Sequence, residues 1–121
     1  VRALLIVDHG SRRAAANALL EEVATLVREA MPEQGVRVAI AHMELAAPSI
    51  DEAFAILKAQ GVEEVRVMPY FLGPGRHVTE DIPALVEEAA TAHGLDAEVT
   101  PHLGVHPLLA QLVLERAGLA E

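Results

Sequence analysis

The sequence predicts a doubly wound α/β domain, a four-stranded parallel sheet with helices on both faces. Three observations carry that expectation. Hydrophobic residues make up 52% of the chain but aromatics only 2%, so Val, Leu, Ile and Ala must build the core. Aliphatic runs of this kind suit parallel strands buried on both faces. Short β-rich runs also alternate with longer stretches of helical periodicity, the pattern of right-handed βαβ units. Finally, five of the six histidines follow the apolar runs, on what such a fold makes one edge of the sheet.

Ala3 to Val7 is a continuous aliphatic run, ended by Asp8-His9-Gly10-Ser11. Ala14 to Ala30 then sets Leu19, Leu20, Val23, Leu26 and Val27 at helical spacing, and Met31-Pro32 stops the helix. Val36 to Ala41 reads as a second strand, followed by a loop from His42 to Pro48. Ser49 with Glu52 three residues on forms a capping box, opening a helix to about Gln60 that Gly61 closes. Val62 to Met68 is a third strand, and Pro69 to His77 a long loop with two glycines and two prolines. A helix from Ile82 to His93 is stopped by Gly94. Ala97 to Thr100 is a fourth strand, and His106 to Ala117 a last helix with Pro107 in its first turn. The expected strand order is 2-1-3-4, with a switch point between the first and third strands. The 121 residues amount to one domain, with no linker, repeat or low-complexity tract.

Composition excludes several classes. Without cysteine the chain has no disulfide, thiolate zinc site or Cys-ligated cluster, so transition metals would need His, carboxylate or water ligands. A formal net charge of −9 repels phosphate backbones, which argues against nucleic acid. No apolar run reaches the roughly 18 residues of a membrane span, and no signal peptide is visible. The expectation is a cytosolic or organelle-stromal protein, cytoplasmic by preference, that meets no membrane.

Ligands of such sheets bind outside the carboxyl ends of the strands, at the switch point. His9 follows the first strand, His42 and Glu44 the second, Arg76 and His77 the third, and His102 and His106 the fourth. Taken singly, His9 could cap a helix, Glu44 could be a solvated carboxylate and His77 could favour the acidic helix start after it. Jointly, His9, Glu44 and His77 come from three successive strand-end loops. Two imidazoles and a carboxylate suit Fe(II), Co(II), Ni(II) or Zn(II) and leave coordination positions open. His42 reads as a supporting or core histidine, His102 and His106 as servants of the last loop and cap, and His93 as a helix-end residue. The loop from Pro69 to His77 reads either as a stiff turn over the core or as an apolar shelf that lets a flat ligand approach. Gly10-Ser11 could alternatively open a phosphate loop, although neither GxGxxG nor GxxxxGK[ST] is present. A phosphohistidine phosphatase is excluded, because Asp8 stands where such sites need an arginine.

At these residues the sequence resembles the short, single-domain sirohydrochlorin chelatases, which insert cobalt or ferrous iron into a modified tetrapyrrole. The matching blocks are Val7 to Arg13, Ala41 to Ile50, Pro69 to Pro83 and Leu103 to Leu109, in the family's order over nearly the whole chain. The resemblance implies that His9 binds metal and accepts a pyrrole proton, that His77 is the second metal-binding histidine, and that Glu44 is the partner carboxylate. It also implies that Ala46 and the loop of Leu72, Gly73, Pro74, Gly75 and Arg76 line the tetrapyrrole pocket. The wording around His9 and Glu44 is closest to the iron-inserting branch. Ala47 departs from the Glu common before that proline. The short members are homodimers, so a second copy is an expected partner.

On this reading the divalent metal is a substrate, beside sirohydrochlorin, and no tightly bound cofactor is expected. Insertion needs a partly dehydrated ion, loss of two pyrrole protons, and a held ring. Histidine titrates near working pH and can accept a proton once freed of metal. Arg12, Arg13 and Arg76 are the positive charges near that edge that could meet ring carboxylates, with Arg12 and Arg76 the stronger candidates. The rival reading is a non-catalytic carrier of metal or tetrapyrrole, which the same ligands would serve.

Overall fold

A computed structural model of the chain describes residues 1–120. It contains β1 (Arg2–Asp8), α1 (Ala14–Ala30), β2 (Val36–His42), α2 (Ile50–Ala59), β3 (Glu64–Pro69), a π-helical turn (His77–Asp81), α3 (Ile82–His93), β4 (Asp96–Val99) and α4 (Pro107–Arg116). The four strands form one sheet in the order β2-β1-β3-β4, every pair parallel, as expected.

Side chains alternate across a strand, so β1 feeds both faces. Leu5 and Val7 meet Val65, Val67, Phe54, Leu57, Ile82 and Val86 beneath α2 and α3. Ile6 on the other face meets Val38, Leu20 and Ala24 beneath α1. This two-sided burial is why the first strand is an uninterrupted aliphatic run. The capping box of α2 forms as expected, with Ser49 Oγ accepting from the Glu52 amide and the Glu52 carboxylate accepting from the Ser49 amide.

Four details differ from the sequence reading. In α1 the buried face is Leu20 and Ala24 with Val27 packed beside them, while Leu19 and Leu26 are exposed. Each lies one residue, about 100°, round the helix from that face. The third strand begins at Glu64 because Val62 is buried in the turn that closes α2, its amide donating to the Leu57 carbonyl. The fourth strand begins and ends one residue earlier than expected, although the Thr100 amide still reaches the Val67 carbonyl. Helical structure before α3 begins at His77 rather than Ile82, as the π-helical turn.

Helices cover both faces, with α1 on one and α2 with α3 on the other, but α4 covers neither. It buries no residue, and Leu108, Leu112, Val113 and Leu114 are exposed on it. Among the described residues, no helix is long and apolar enough to cross a membrane.

Candidate metal and tetrapyrrole site

The parallel register brings the carboxyl ends of β1 and β2 level, Asp8 opposite His42. Pairing continues beyond the sheet: the Met43 amide donates to the Asp8 carbonyl at 2.8 Å and the Glu44 amide to the His9 carbonyl at 3.0 Å. These two bonds set Glu44 beside His9, and their side chains meet, His9 Nε2 lying 2.9 Å from Glu44 Oε1. The other ring nitrogen, His9 Nδ1, donates to the Gly10 carbonyl at 3.1 Å. Both nitrogens therefore face oxygen acceptors.

Two backbone features permit this approach. Gly10 has φ +93°, and a Cβ there would lie 1.9 Å from the Glu44 carbonyl oxygen, so only glycine fits. Leu45 follows Glu44 with φ +71°, a conformation costly for a side chain of that kind and characteristic of functional sites. Asn17, one turn into α1, holds the loop from behind: its amide accepts from the Ser11 N–H at 2.9 Å and donates to the Ser11 carbonyl at 2.8 Å. That occupied N–H is a reason to set aside the phosphate-loop alternative.

His77 arrives from the third strand. The Tyr70 amide donates to the Val7 carbonyl, and the loop then runs across to the π-helical turn. The His77 ring stands edge-on to His9, centroids 4.8 Å apart and planes inclined by 66°. Its Nδ1 donates to Asp81 Oδ2 at 2.9 Å. The structure thus brings His9 against both Glu44 and His77. Among the described residues, however, no three His, Asp or Glu side chains are drawn round one point as a closed cage. The arrangement is a partly exposed ledge with His9 in the middle.

The remaining expected residues divide. In the loop after β3, Phe71 packs against the core, as a stiff covering turn requires, whereas Leu72 is 71% exposed. A Cβ at Gly73 or Gly75 would meet nothing within 4 Å, so with Pro74 this segment is an open shelf. Arg12 is exposed, and Arg76 pairs with Glu80 at 3.3 Å in water-exposed surroundings. Ala46 is half-buried in the Glu44 loop. His106 accepts from the Leu108 amide and caps α4, as expected. His93 ends α3 and also meets Asp51 of α2 at 2.9 Å. Hollows of about 410 and 550 Å³ lie elsewhere, the first at the amino ends of the strands beside Arg2 and Glu64, the second against β2 and α2.

Sequence reasoning missed Asp8 as a partner. His42 is 2% exposed and its Nδ1 lies 2.6 Å from Asp8 Oδ1, so the supporting histidine has a carboxylate on the neighbouring strand. The signal was present: both residues directly follow the apolar runs of adjacent strands and so come level in register.

Comparison with known proteins adds the relatives. The family model described as CbiX matches residues 3–120. The chloroplastic sirohydrochlorin ferrochelatase of Arabidopsis thaliana is 45% identical over 114 residues, 93% of this chain and 50% of that protein. The sirohydrochlorin cobaltochelatase of Methanococcoides burtonii is 34% identical over 123 residues, 94% of this chain and 92% of that protein. The chain thus spans about half of the plant relative and nearly all of the other. Among solved structures, a CbiX protein of Marinobacter aquaeolei VT8, described under cobalamin (vitamin B12) biosynthesis, superposes with a TM-score of 0.83. It is 32% identical, and the match covers 98% of this chain and 95% of that one.

Proposed function

Since the chain belongs to the CbiX family, we propose that it is a sirohydrochlorin metal chelatase, a lyase inserting cobalt or ferrous iron into the tetrapyrrole. The observation that carries the reading is His9 held against Glu44 at 2.9 Å and His77 at 4.8 Å between ring centres, on the strand-end edge.

The chemistry follows from those contacts. With both Nδ1 atoms engaged, His77 has Nε2 for the incoming metal, and His9 Nε2 can exchange its contact with Glu44 for the ion, whose charge Glu44 then offsets. When the ion passes to the ring two pyrrole protons leave: His9, freed of the metal, takes one, with Glu44 stabilising the imidazolium so formed, and His77, freed likewise beside Asp81, takes the other. The shelf from Leu72 to Gly75, with Ala46, offers an apolar face for the macrocycle. Arg12 and Arg76 supply the positive charge that a polycarboxylate needs on an acidic surface. The metal is substrate here, and the reaction calls for no tightly bound cofactor.

Two features belong to the same proposal. A second copy of the chain completes the open ledge, and the cytoplasm, where metal ion and tetrapyrrole reach the ledge by diffusion, suits a surface of net charge −9.

An anaerobic assay of sirohydrochlorin with Co(II), Fe(II) and Ni(II) in turn, followed by absorbance, tests the reading. Many turnovers per chain with cobalt or iron are expected. Binding that stops at one equivalent, without release of metallated product, would favour a carrier.

A further inference from the structure

His77 is exposed and sits in a turn one residue wider than an α-helix, where the core does not hold its ring. The residue in place to do so is Asp81, whose Oδ2 lies 2.9 Å from His77 Nδ1. An ionised carboxylate only accepts hydrogen bonds, so the shared proton sits on Nδ1, and in the neutral ring Nε2 keeps the lone pair.

The bland role for Asp81 would be to cap α3, since it stands at that helix's N-cap position. Its side chain makes no capping bond. Nor is it occupied by the nearest arginine, because Arg76 pairs with Glu80. The next residue, Ile82, is fully buried in the main core and anchors the backbone from which the carboxylate reaches back. His9 has a matching arrangement in another form, its Nδ1 donating to the Gly10 carbonyl.

We propose that Asp81 is the positioning residue of His77, its carboxylate holding the ring in the Nδ1–H tautomer so that Nε2 presents the lone pair. The proposal deepens the chelatase reading and rests on it for the use to which Nε2 is put. Partners of this kind orient a ligating ring and raise its basicity, and losing one typically weakens metal binding about 10–100-fold.

The test uses the metal-free chain and Co(II) alone. Long-range ¹⁵N–¹H NMR above the titration range of histidine should show His77 as the Nδ1–H tautomer, and Asp81→Ala should abolish that preference. Cobalt affinity should fall on the order of tenfold or more in Asp81→Ala. Asp81→Asn, which keeps an acceptor oxygen at the same reach, should restore the tautomer and most of the affinity. An unchanged tautomer in Asp81→Ala, or a changed tautomer with unchanged cobalt affinity, would overturn the assignment. His77→Ala tells the two failures apart: if that variant also binds cobalt normally, His77 is not a ligand and the metal reading of the ledge fails first.

Discussion

At the scale of single residues, the site depends on His9 having Glu44 within reach of its outer nitrogen. His9→Ala removes a loop side chain that is not part of either core cluster, so metal insertion should be abolished while the circular-dichroism spectrum is retained. Unchanged turnover in a folded variant would remove His9 from the mechanism. Glu44→Gln keeps the shape but removes the charge, and should weaken apparent metal affinity more than tetrapyrrole affinity. Titrating each substrate separately distinguishes the two, and a loss confined to the ring would assign Glu44 to the tetrapyrrole pocket. Gly10 makes a sharper case. A Cβ there would collide with the Glu44 carbonyl, and φ +93° is strained for any other residue. Gly10→Ala should therefore cost about 1–3 kcal/mol in a thermal melt and lower turnover by displacing Glu44. A variant with wild-type melting temperature and wild-type activity would show that the close approach is dispensable.

At the scale of elements, most of the structure was legible because local signals agreed with burial. The capping box at Ser49 and Glu52 is visible in the sequence and forms as written. Ser49→Ala should cost about 1 kcal/mol, and hence lower the melting temperature by roughly 4 °C, without altering the strand-end site. Calorimetry with a parallel turnover assay checks both halves. The π-helical turn was not legible, because His77, Val78, Thr79, Glu80 and Asp81 carry no periodic apolar face, and none of them is buried. Its conformation follows from its neighbours: Ile82 must reach the core, and the amides of Val78 and Thr79 both find the Gly75 carbonyl. Likewise the helical spacing of Leu19, Leu20, Val23, Leu26 and Val27 did not tell which of them face inward, since periodicity measures spacing and does not fix the angle at which a helix meets the sheet; Leu19 and Leu26 are exposed.

At the scale of the whole molecule, two surfaces stand out as unfinished. The ledge around His9 is open, while ligand sites generally enclose most of their ligand. The last helix, α4, leaves Leu108, Leu112, Val113 and Leu114 in water, and Val105 just before it is fully exposed. Apolar surface of that extent is what an association interface looks like. We therefore expect a homodimer in which the strand-end loops of both copies border a shared cleft, one patch used twice across a two-fold axis. Light scattering should report two chains per particle, and specific activity should fall on dilution below the dimer constant. A monomer at concentrations where specific activity is full would refute the arrangement.

The strand order, the four βα units, and the single edge on which His9, Glu44 and His77 gather are all readable from the chain of residues. All three follow from pattern: aliphatic runs buried on both faces, right-handed crossovers, and residues placed just after strand ends. Which side chains touch is set by the packed backbone. Register across β1 and β2 paired Asp8 with His42, a positive φ at Gly10 let Glu44 close on His9, and a π-helical turn brought Asp81 under His77. Such contacts depend on backbone angles and register to within an ångström; the spacing of residue types could place Asp8 level with His42, but not fix the positive φ at Gly10 or the π-helical turn that set the other two.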